Sequence, residues 1–284
     1  MADESSSDES SSDNTYMNII IFILITILFF AYGKPKPTID TLSTPDSPYK
    51  SYGIYFMAVL LFQLAINMST LESKCGGGWP ANLGYATLIT FGPWLAIFGI
   101  LIAVMINFPG MKSAFSDVIG YYAVSNSANK LLAELLVDTD INDKIKHASD
   151  ATDETKQHAM QDAAEAVMKM VGNISILINQ IVPSNFMSYW KTLIPLMKNP
   201  EAADLPEKQQ ALLDIVVLRD NIGEACWYIY TAILLISIIG YKIVNKSCEV
   251  DPKVANAKYD QYLDKQQAAN DAKAIANSIP YTLG

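Results

Sequence analysis

The densest group of side chains able to form strong polar contacts lies just before the last apolar segment of the chain. Arg219, Asp220 and Glu224 place three charges there, and the aromatic side chains of Trp227 and Tyr228 follow. On a continuous helix Asp220 and Glu224 share a face and repel each other unless a basic group lies nearby. A basic partner or a membrane-proximal lysine would supply that group. Two interpretations stay open: an ordinary polar collar above the helix, or a docking collar of these five residues that fixes the helix to a neighbouring subunit.

The three cysteines, Cys75, Cys226 and Cys248, are the other residues with distinctive chemistry. Their spacing contains no CxxC pair and no Cys/His metal pattern. The order of the apolar segments, described below, puts Cys75 and Cys248 on one side of a membrane and Cys226 at the opposite face. Cys75 and Cys248 can form a disulfide if their side is oxidising, and two free thiols fit the sequence equally well.

The sequence offers no catalytic or cofactor-binding pattern. It contains no G-x-S-x-G, Walker loop, H-E-x-x-H or G-x-G-x-x-G. The glycine run 76–78 lacks the lysine and the following helix of a phosphate loop and is interpreted as a flexible turn. His147 and His158 lie in a charged stretch and are interpreted as solvated histidines. We therefore predict no enzymatic activity, cofactor, metal site or small-molecule substrate.

The composition favours a membrane protein over a soluble one. Of the 284 residues 51% are hydrophobic and only 17% are charged, whereas about a quarter of an average soluble domain is charged. Apolar surface on this scale must be buried somewhere other than in one globular core. The net charge of -9 makes nucleic acid an unsuitable partner, because its phosphates are also negative.

Four apolar segments are long enough to cross a bilayer, and they cover residues 17–33, 52–68, 85–108 and 225–244. Each contains about 17 or more residues without a charge, apart from a terminal lysine. A backbone in lipid must satisfy its own hydrogen bonds, which only helices or closed barrels achieve. We predict an all-α protein with four transmembrane helices, lying in a lipid bilayer.

Two residues inside the spans need an explanation. Gln63 is the one polar interruption of the second span and is expected to hydrogen-bond a neighbouring helix. Pro93 in the third span either kinks the helix or lies in its first turn. No ionisable residue lies in the middle of any span, and such residues are what mark an ion path or a proton relay.

With four spans, the N-terminal tail, the loop 69–84 and the C-terminal tail share one side of the membrane. The loop 34–51 and the segment 109–224, here called the insert, share the other. Basic residues near the span ends are slightly more frequent on the insert side, where Arg219 adds to four lysines against four on the tail side, which leans toward a cytoplasmic insert.

Helical periodicity in the insert predicts a small extramembrane bundle rather than a linker. One helix is expected from Asp150 or Thr152 to Pro183, where apolar residues recur at steps of three and four. Its stripe comprises Met160, Ala163, Ala164, Val167, Met170, Val171, Ile174, Leu177, Ile178 and Ile181. This stripe packs in the bundle core or, alternatively, receives a partner helix.

Three further helices are predicted in the insert. The first covers about residues 113–137, with leucines clustered late. A short aromatic helix follows Ser184 through Phe186 and Trp190. The last begins near Pro206 and runs without a breaker into the fourth span.

Both ends of the chain are polar. Residues 1–16 are acidic and rich in serine, lack the positive n-region of a secretory signal, and are predicted to be a disordered tail. Residues 245–284 form a polar C-terminal arm with a weak helical stripe, expected to be disordered or ordered by a partner.

One longer pattern covers about a tenth of the chain, from residue 218 to about residue 245. Its residues are Leu218, Arg219, Asp220, Asn221, Ile222, Glu224, Trp227, Tyr228, Thr231, Tyr241 and Asn245. The segment resembles part of the membrane-spanning virion proteins of large icosahedral double-stranded DNA viruses, the phycodnavirus-like and related giant viruses. Gly223 and Cys226 depart from the other small or apolar residues expected there.

In such viruses an inner lipid membrane lies beneath a protein shell, and transmembrane minor capsid proteins connect the two. The resemblance therefore implies a multi-pass protein of the virion inner membrane that acts in capsid assembly, with capsid or other virion proteins as partners. It implies that the protein anchors or spaces the shell on the membrane. The alternative is a small transporter or channel subunit with a regulatory helical domain.

Overall fold

The computed structural model describes residues 5–42, 47–136, 173–248 and 252–277. Every regular element within these ranges is a helix, and the one β-type contact found among them is an isolated antiparallel bridge between Leu136 and Met197. The predicted all-α fold class is confirmed.

Four helices are long and apolar enough to cross a membrane: Thr15–Gly33, Tyr49–Cys75, Gly78–Asn107 and Leu205–Val244. They contain the four predicted spans almost entirely, so the multi-pass membrane architecture is confirmed. Three of them extend well beyond the predicted ends, because polar residues that continue a helix outside lipid carry no hydropathy signal.

The N-terminal helix α1, Ser5–Leu28, begins inside the tail that was predicted to be disordered. Residues 1–4 lie outside the described residues, and residues 5–16 are helical where disorder was expected. Adding a residue to an existing helix is far cheaper than nucleating a new one. The apolar first span thus extends its helix into the serine-rich segment. A π-helical turn, Phe29–Gly33, ends the span.

The second span is helix α2, Tyr49–Cys75, and a glycine turn joins it to the third. Gly76, Gly77 and Gly78 all have φ values between 68° and 79°, a region that only glycine enters without strain. Asn82 donates hydrogen bonds to the carbonyl oxygens of Gly76 and Gly78, at 2.8 and 3.1 Å. The run predicted to be a flexible turn is therefore a tight connection with its own hydrogen bonds.

The third span consists of helix α3, Gly78–Pro93, a π-helical segment, Trp94–Gly99, and helix α4, Ile100–Asn107. Pro93 lies in the middle of the span rather than in a first turn. Its ring removes a backbone donor and crowds the preceding carbonyl. The wider π-helical turn directly after it is a known way to accommodate such a disruption without ending the helix.

The first described part of the insert runs from Pro109 to Leu136. A 3-10 turn, Pro109–Lys112, leads through the short helix α5, Ser113–Phe115, and a π-helical segment, Ser116–Gly120, into helix α6, Tyr121–Leu135. This agrees with the helix predicted for residues 113–137.

The helix predicted from residue 150 to Pro183 falls mostly on residues 137–172, which lie outside the described residues. Its described end differs from the prediction. Helix α7, Ile174–Gln180, is preceded by Asn173 in an extended conformation, with φ -128° and ψ 92°. Asn173 accepts a hydrogen bond from the Ser175 hydroxyl at 2.7 Å. Asparagine favours such local bonds over helix-interior positions, so a helix starts after it.

The remaining helices of the insert agree with the sequence. Helix α8, Phe186–Leu193, is the predicted aromatic helix, and helix α9, Leu205–Val244, runs for 40 residues from the insert through the fourth span. Helix α10, Pro252–Asn277, follows in the polar C-terminal arm, where disorder or ordering by a partner was expected. Its many alanines give it helix propensity.

The chain falls into two compact units. The first comprises Met1–Asn18, Leu60–Trp94 and Leu235–Gly284, and the second comprises Ile19–Val59 and Leu95–Leu234. The second unit includes the core of the insert, which packs helices α6, α7 and α8 around the start of helix α9. Its buried members are Ala128, Leu132, Leu135, Leu136, Leu177, Ile178, Ile181, Phe186, Trp190, Leu193, Met197, Leu212, Leu213 and Val216.

Two hydrogen bonds between buried side chains connect helices inside the first unit. The Gln63 side-chain amide donates to Asn18 Oδ1 at 2.7 Å, which confirms the hydrogen bond expected to a neighbouring helix. Asn67 donates to the Thr90 hydroxyl at 2.9 Å. Such bonds connect helices in lipid, where the hydrophobic effect cannot hold them together.

Candidate functional site

The Glu224 carboxylate is the centre of the main polar cluster in the second unit. Its side chain is 0% exposed. The ammonium groups of Lys34 and Lys112 lie 2.9 and 2.7 Å from Oε2. The hydroxyls of Tyr52 and Tyr228 donate to Oε1 at 2.6 and 2.7 Å. We call these five residues the Glu224 cluster.

The Glu224 cluster collects at least one side chain from the neighbourhood of every span. Lys34 directly follows the π-helical turn of the first span, and its backbone N–H donates to the Phe29 carbonyl at 2.8 Å. Tyr52 lies at the start of the second span, and Lys112 ends the 3-10 turn after the third. Glu224 and Tyr228 are one turn apart on helix α9. A single carboxylate thus connects all four spans at their insert-side ends.

The partners of Glu224 explain how its carboxylate can be buried. A carboxylate removed from water is tolerated only when charged or hydrogen-bonding partners replace the water. Burial lowers the pKa of Lys34 below its ordinary value of 10.5, the Glu224 carboxylate opposes this shift, and the Lys112 ammonium adds to it. Lys34 also donates to Asn221 Oδ1 at 2.7 Å and lies 5.0 Å from the centre of the Phe30 ring.

Arg219 forms a second buried contact, which we call the Arg219 contact. Its side chain is 1% exposed, and its Nη2 lies 2.7 Å from Asp220 Oδ1. Its Nη1 donates to the carbonyl oxygen of Ile178 on helix α7. The only arginine of the chain therefore connects the insert to helix α9 from within the protein.

Two glycines allow the insert to approach helix α9 closely. A Cβ atom at Gly223 would lie 2.7 Å from the backbone nitrogen of Ser116, and one at Gly120 would lie 2.5 Å from the Arg219 carbonyl oxygen. Real Cβ atoms do not approach backbone atoms this closely. The π-helical segment Ser116–Gly120 therefore packs directly on helix α9, where only glycine fits.

We expect Gly223→Ala to lower the free energy of unfolding by about 1–3 kcal/mol, since the added methyl group overpacks a backbone contact. Gly240→Ala is the matched control on the same helix, where the new Cβ would meet only Thr15 Oγ1 at 3.7 Å. It should be neutral or stabilising by up to about 1 kcal/mol, because alanine has the better helix propensity. Unfolding midpoints in mixed detergent micelles measure both variants. Equal midpoints for the two variants would contradict the close approach.

The aromatic residues of the predicted docking collar also contact the chain itself. The Tyr228 ring packs against Phe30, Tyr55 and Phe98, with ring centres 5.3–6.0 Å apart. The Trp227 indole N–H donates to the Met111 carbonyl at 2.9 Å.

For four of the five collar residues, these contacts favour the first interpretation, a polar collar within the chain, while Trp227 is half-buried. Arg219, Glu224 and Tyr228 are fully buried and Asp220 nearly so, and a neighbouring subunit cannot contact side chains that the chain has already covered. The collar is an internal junction between the insert and the spans. The Lys34 and Lys112 ammonium groups fill the role of the membrane-proximal lysine that the Asp220–Glu224 spacing called for.

The sequence did not identify Lys34, Lys112, Tyr52 or the two glycines as members of this junction. One signal was available for the lysines. Each lies within four residues after the end of an apolar span, on the side of the membrane where Glu224 lies. Each is therefore at about the same depth in the membrane as the Glu224 carboxylate.

In the first unit, Cys75 and Cys248 form a disulfide with a Cα–Cα distance of 5.2 Å. The sequence left this pairing open. Next to it, the Lys74 ammonium donates to the carbonyl oxygens of Ile243 at 2.8 Å, of Lys246 at 3.1 Å and of Val244. A lysine at the C-terminal end of a helix satisfies carbonyls that have no partner within it. Lys74 and the disulfide together hold the end of helix α9 to the end of helix α2.

We expect the denatured, unreduced protein to react with one equivalent of a maleimide, at Cys226, and the reduced protein with three. Cys226 has a free thiol in the structure, whereas Cys75 and Cys248 are bonded. Intact-mass spectrometry counts the adducts. In Cys75→Ser, two thiols should react without reduction. Three adducts on the unreduced wild-type protein would show that the bridge does not form.

Within the described residues no group of three or more His, Cys, Asp or Glu side chains is placed to hold a metal ion. No protein-family model, curated protein or solved structure matches the chain.

Proposed function

We propose that the protein is a structural membrane protein of a virion, which anchors or spaces the capsid shell on an inner lipid membrane. The observation that carries the proposal is helix α9. It continues for 40 residues from the core of the insert to the end of the fourth span, a length of about 60 Å at 1.5 Å per residue.

A rigid connection is what an anchor needs. With a flexible linker, the distance between the insert and the membrane would vary, and a contact made by the insert would not position the membrane. Helix α9 has no such linker, and the Glu224 cluster and the Arg219 contact fix it to the other spans and to the insert. A contact made outside the membrane is therefore transmitted to all four spans.

The resemblance to minor capsid proteins lies on the same residues. Arg219, Glu224 and Tyr228, which belong to the resembling pattern, are buried at the junction. The likeness thus concerns how an insert is joined to a membrane span, which is an architectural feature. The surface that contacts the shell must then lie on exposed parts of the chain, and binding strength would come from many weak contacts repeated over a lattice.

The test is the location of the protein in purified particles from which any outer envelope has been stripped. We expect it in the membrane fraction of those particles. A photo-crosslinker at Tyr122, which is 84% exposed on the insert, should capture a capsid protein. A crosslinker at Leu88, exposed on the third span, should capture lipid. Absence from stripped particles would contradict the proposal.

A small transporter or channel subunit is the second candidate. It is favoured by a cavity of about 40 Å³ in the first unit, lined by Thr15, Asn18, Asn67 and Thr70 among others. A cavity of this size and polarity holds about one water molecule. Ion flux through proteoliposomes containing the purified protein, reduced by Asn67→Ala, would favour this candidate over the structural one.

A further inference from the structure

A pocket of about 530 Å³ with three lysines in its lining opens in the second unit beside the Glu224 cluster. Its walls come from the loop after the first span, the end of the third span, the turn after helix α7 and one face of helix α9. Five of its lining residues are prolines, whose fixed φ angles keep the walls in place without a ligand. The volume is in the range of small-molecule sites.

The charges around the pocket are unbalanced. Lys34, Lys36 and Lys112 line it, and Asp220 is the only acidic residue among its lining side chains. Asp220 is already paired with Arg219 at 2.7 Å. Glu224 supplies one negative charge to two ammonium groups, those of Lys34 and Lys112. One positive charge of this buried pair and that of Lys36 are therefore left for another anion.

The pocket also contains uncharged hydrogen-bond donors, and it lies near the ends of the membrane spans. The hydroxyl group of Ser184 and the side-chain amide of Asn221 line it, and such groups hydrogen-bond phosphate oxygens. Tyr52 and Met105, near the insert-side ends of the second and third spans, also line it. The ends of membrane spans lie at the level of the lipid headgroups.

We infer that this pocket binds a phosphate-bearing anion, with the headgroup of an anionic phospholipid as the occupant. Basic pockets between membrane helices bind such headgroups in other proteins. The two Glu224-bound ammonium groups and Lys36 would face the phosphate, and the acyl chains would remain in the bilayer. The inference does not depend on the proposed virion role, because an anchor and a transporter subunit would each gain from a fixed lipid.

Native mass spectrometry of the detergent-solubilised full-length protein tests the inference by titration with phosphatidylglycerol and, separately, with phosphatidylcholine. The wild-type protein should bind phosphatidylglycerol more tightly. Lys36→Gln is the informative variant, because Lys36 is exposed and makes no contribution to the Glu224 cluster. It should weaken phosphatidylglycerol binding about fivefold, the effect of about one lysine at a membrane surface.

Lys50→Gln is the matched control, since Lys50 is also exposed near the insert-side end of a span but does not line this pocket. It should change the affinity by less than about twofold. Competition with inorganic phosphate distinguishes a lipid headgroup from free phosphate as the source of the anion. If millimolar phosphate displaces phosphatidylglycerol, the anion site is supported with free phosphate as its ligand. Equal binding of the two lipids, or equal effects of Lys36→Gln and Lys50→Gln, would overturn the inference.

Discussion

Glu224→Gln is expected to lower the free energy of unfolding by about 3–5 kcal/mol. The glutamine side chain is the same size but carries no charge, so the two nearby ammonium groups of Lys34 and Lys112 lose their counterion while remaining largely buried. The Tyr52 and Tyr228 hydroxyls, both donors to Glu224, lose a charged acceptor as well. The unfolding midpoint in mixed detergent micelles, followed by tryptophan fluorescence, measures the change.

Glu207→Gln is the matched control, because Glu207 is an exposed carboxylate on the same helix. It should shift the free energy of unfolding by no more than about 0.5 kcal/mol. Adding Lys112→Met to Glu224→Gln should recover part of the loss, since it removes one unpaired buried charge. A Glu224→Gln midpoint equal to that of Glu207→Gln would refute the central role of this carboxylate.

The helices were largely predictable because their signals are local. Apolar runs predict the spans. The absence of any helix breaker between Pro206 and Val244 predicts helix α9. The helix ends were less predictable, since residues 5–16 become helical only by extension of the first span. The π-helical segments Phe29–Gly33 and Ser116–Gly120 left no recognisable pattern in the sequence.

The site was predictable only in part. The four-residue spacing of Asp220 and Glu224 correctly required a nearby cation, because that requirement depends on one helix. The identity of the cation could not be derived. Lys34 and Lys112 are 190 and 112 residues away from Glu224 along the chain, and only the packing of four spans brings them together.

The same limit explains why the sequence leaves two interpretations of the collar open. Polar and aromatic residues at the edge of a span look alike in sequence whether they contact another subunit or the rest of their own chain. The glycines could have separated the two cases. Gly120 and Gly223 both lie where backbone meets backbone within the chain, and this close packing leaves no room there for a partner.

Arg219→Ala is the second substitution for which we expect a large effect. It distinguishes an internal role of Arg219 from a contact with a neighbouring subunit. Truncation leaves the Asp220 carboxylate without its partner at 2.7 Å and removes the donor to the Ile178 carbonyl. Losing one member of a buried pair costs about 3–5 kcal/mol. Because Ile178 lies on helix α7, we expect hydrogen exchange of the amides in Ile174–Gln180 to accelerate in the purified, isolated protein.

Helix α9 should stay inserted, since its apolar span is untouched, and the amides of the fourth span should keep their protection from exchange. Arg219→Lys is the conservative variant. It retains the charge beside Asp220 but lacks the planar fork that reaches two acceptors at once, so it should recover part of the stability and part of the protection in helix α7. If Arg219 instead served a neighbouring subunit, Arg219→Ala would leave hydrogen exchange in the isolated protein unchanged and would weaken only its assembly.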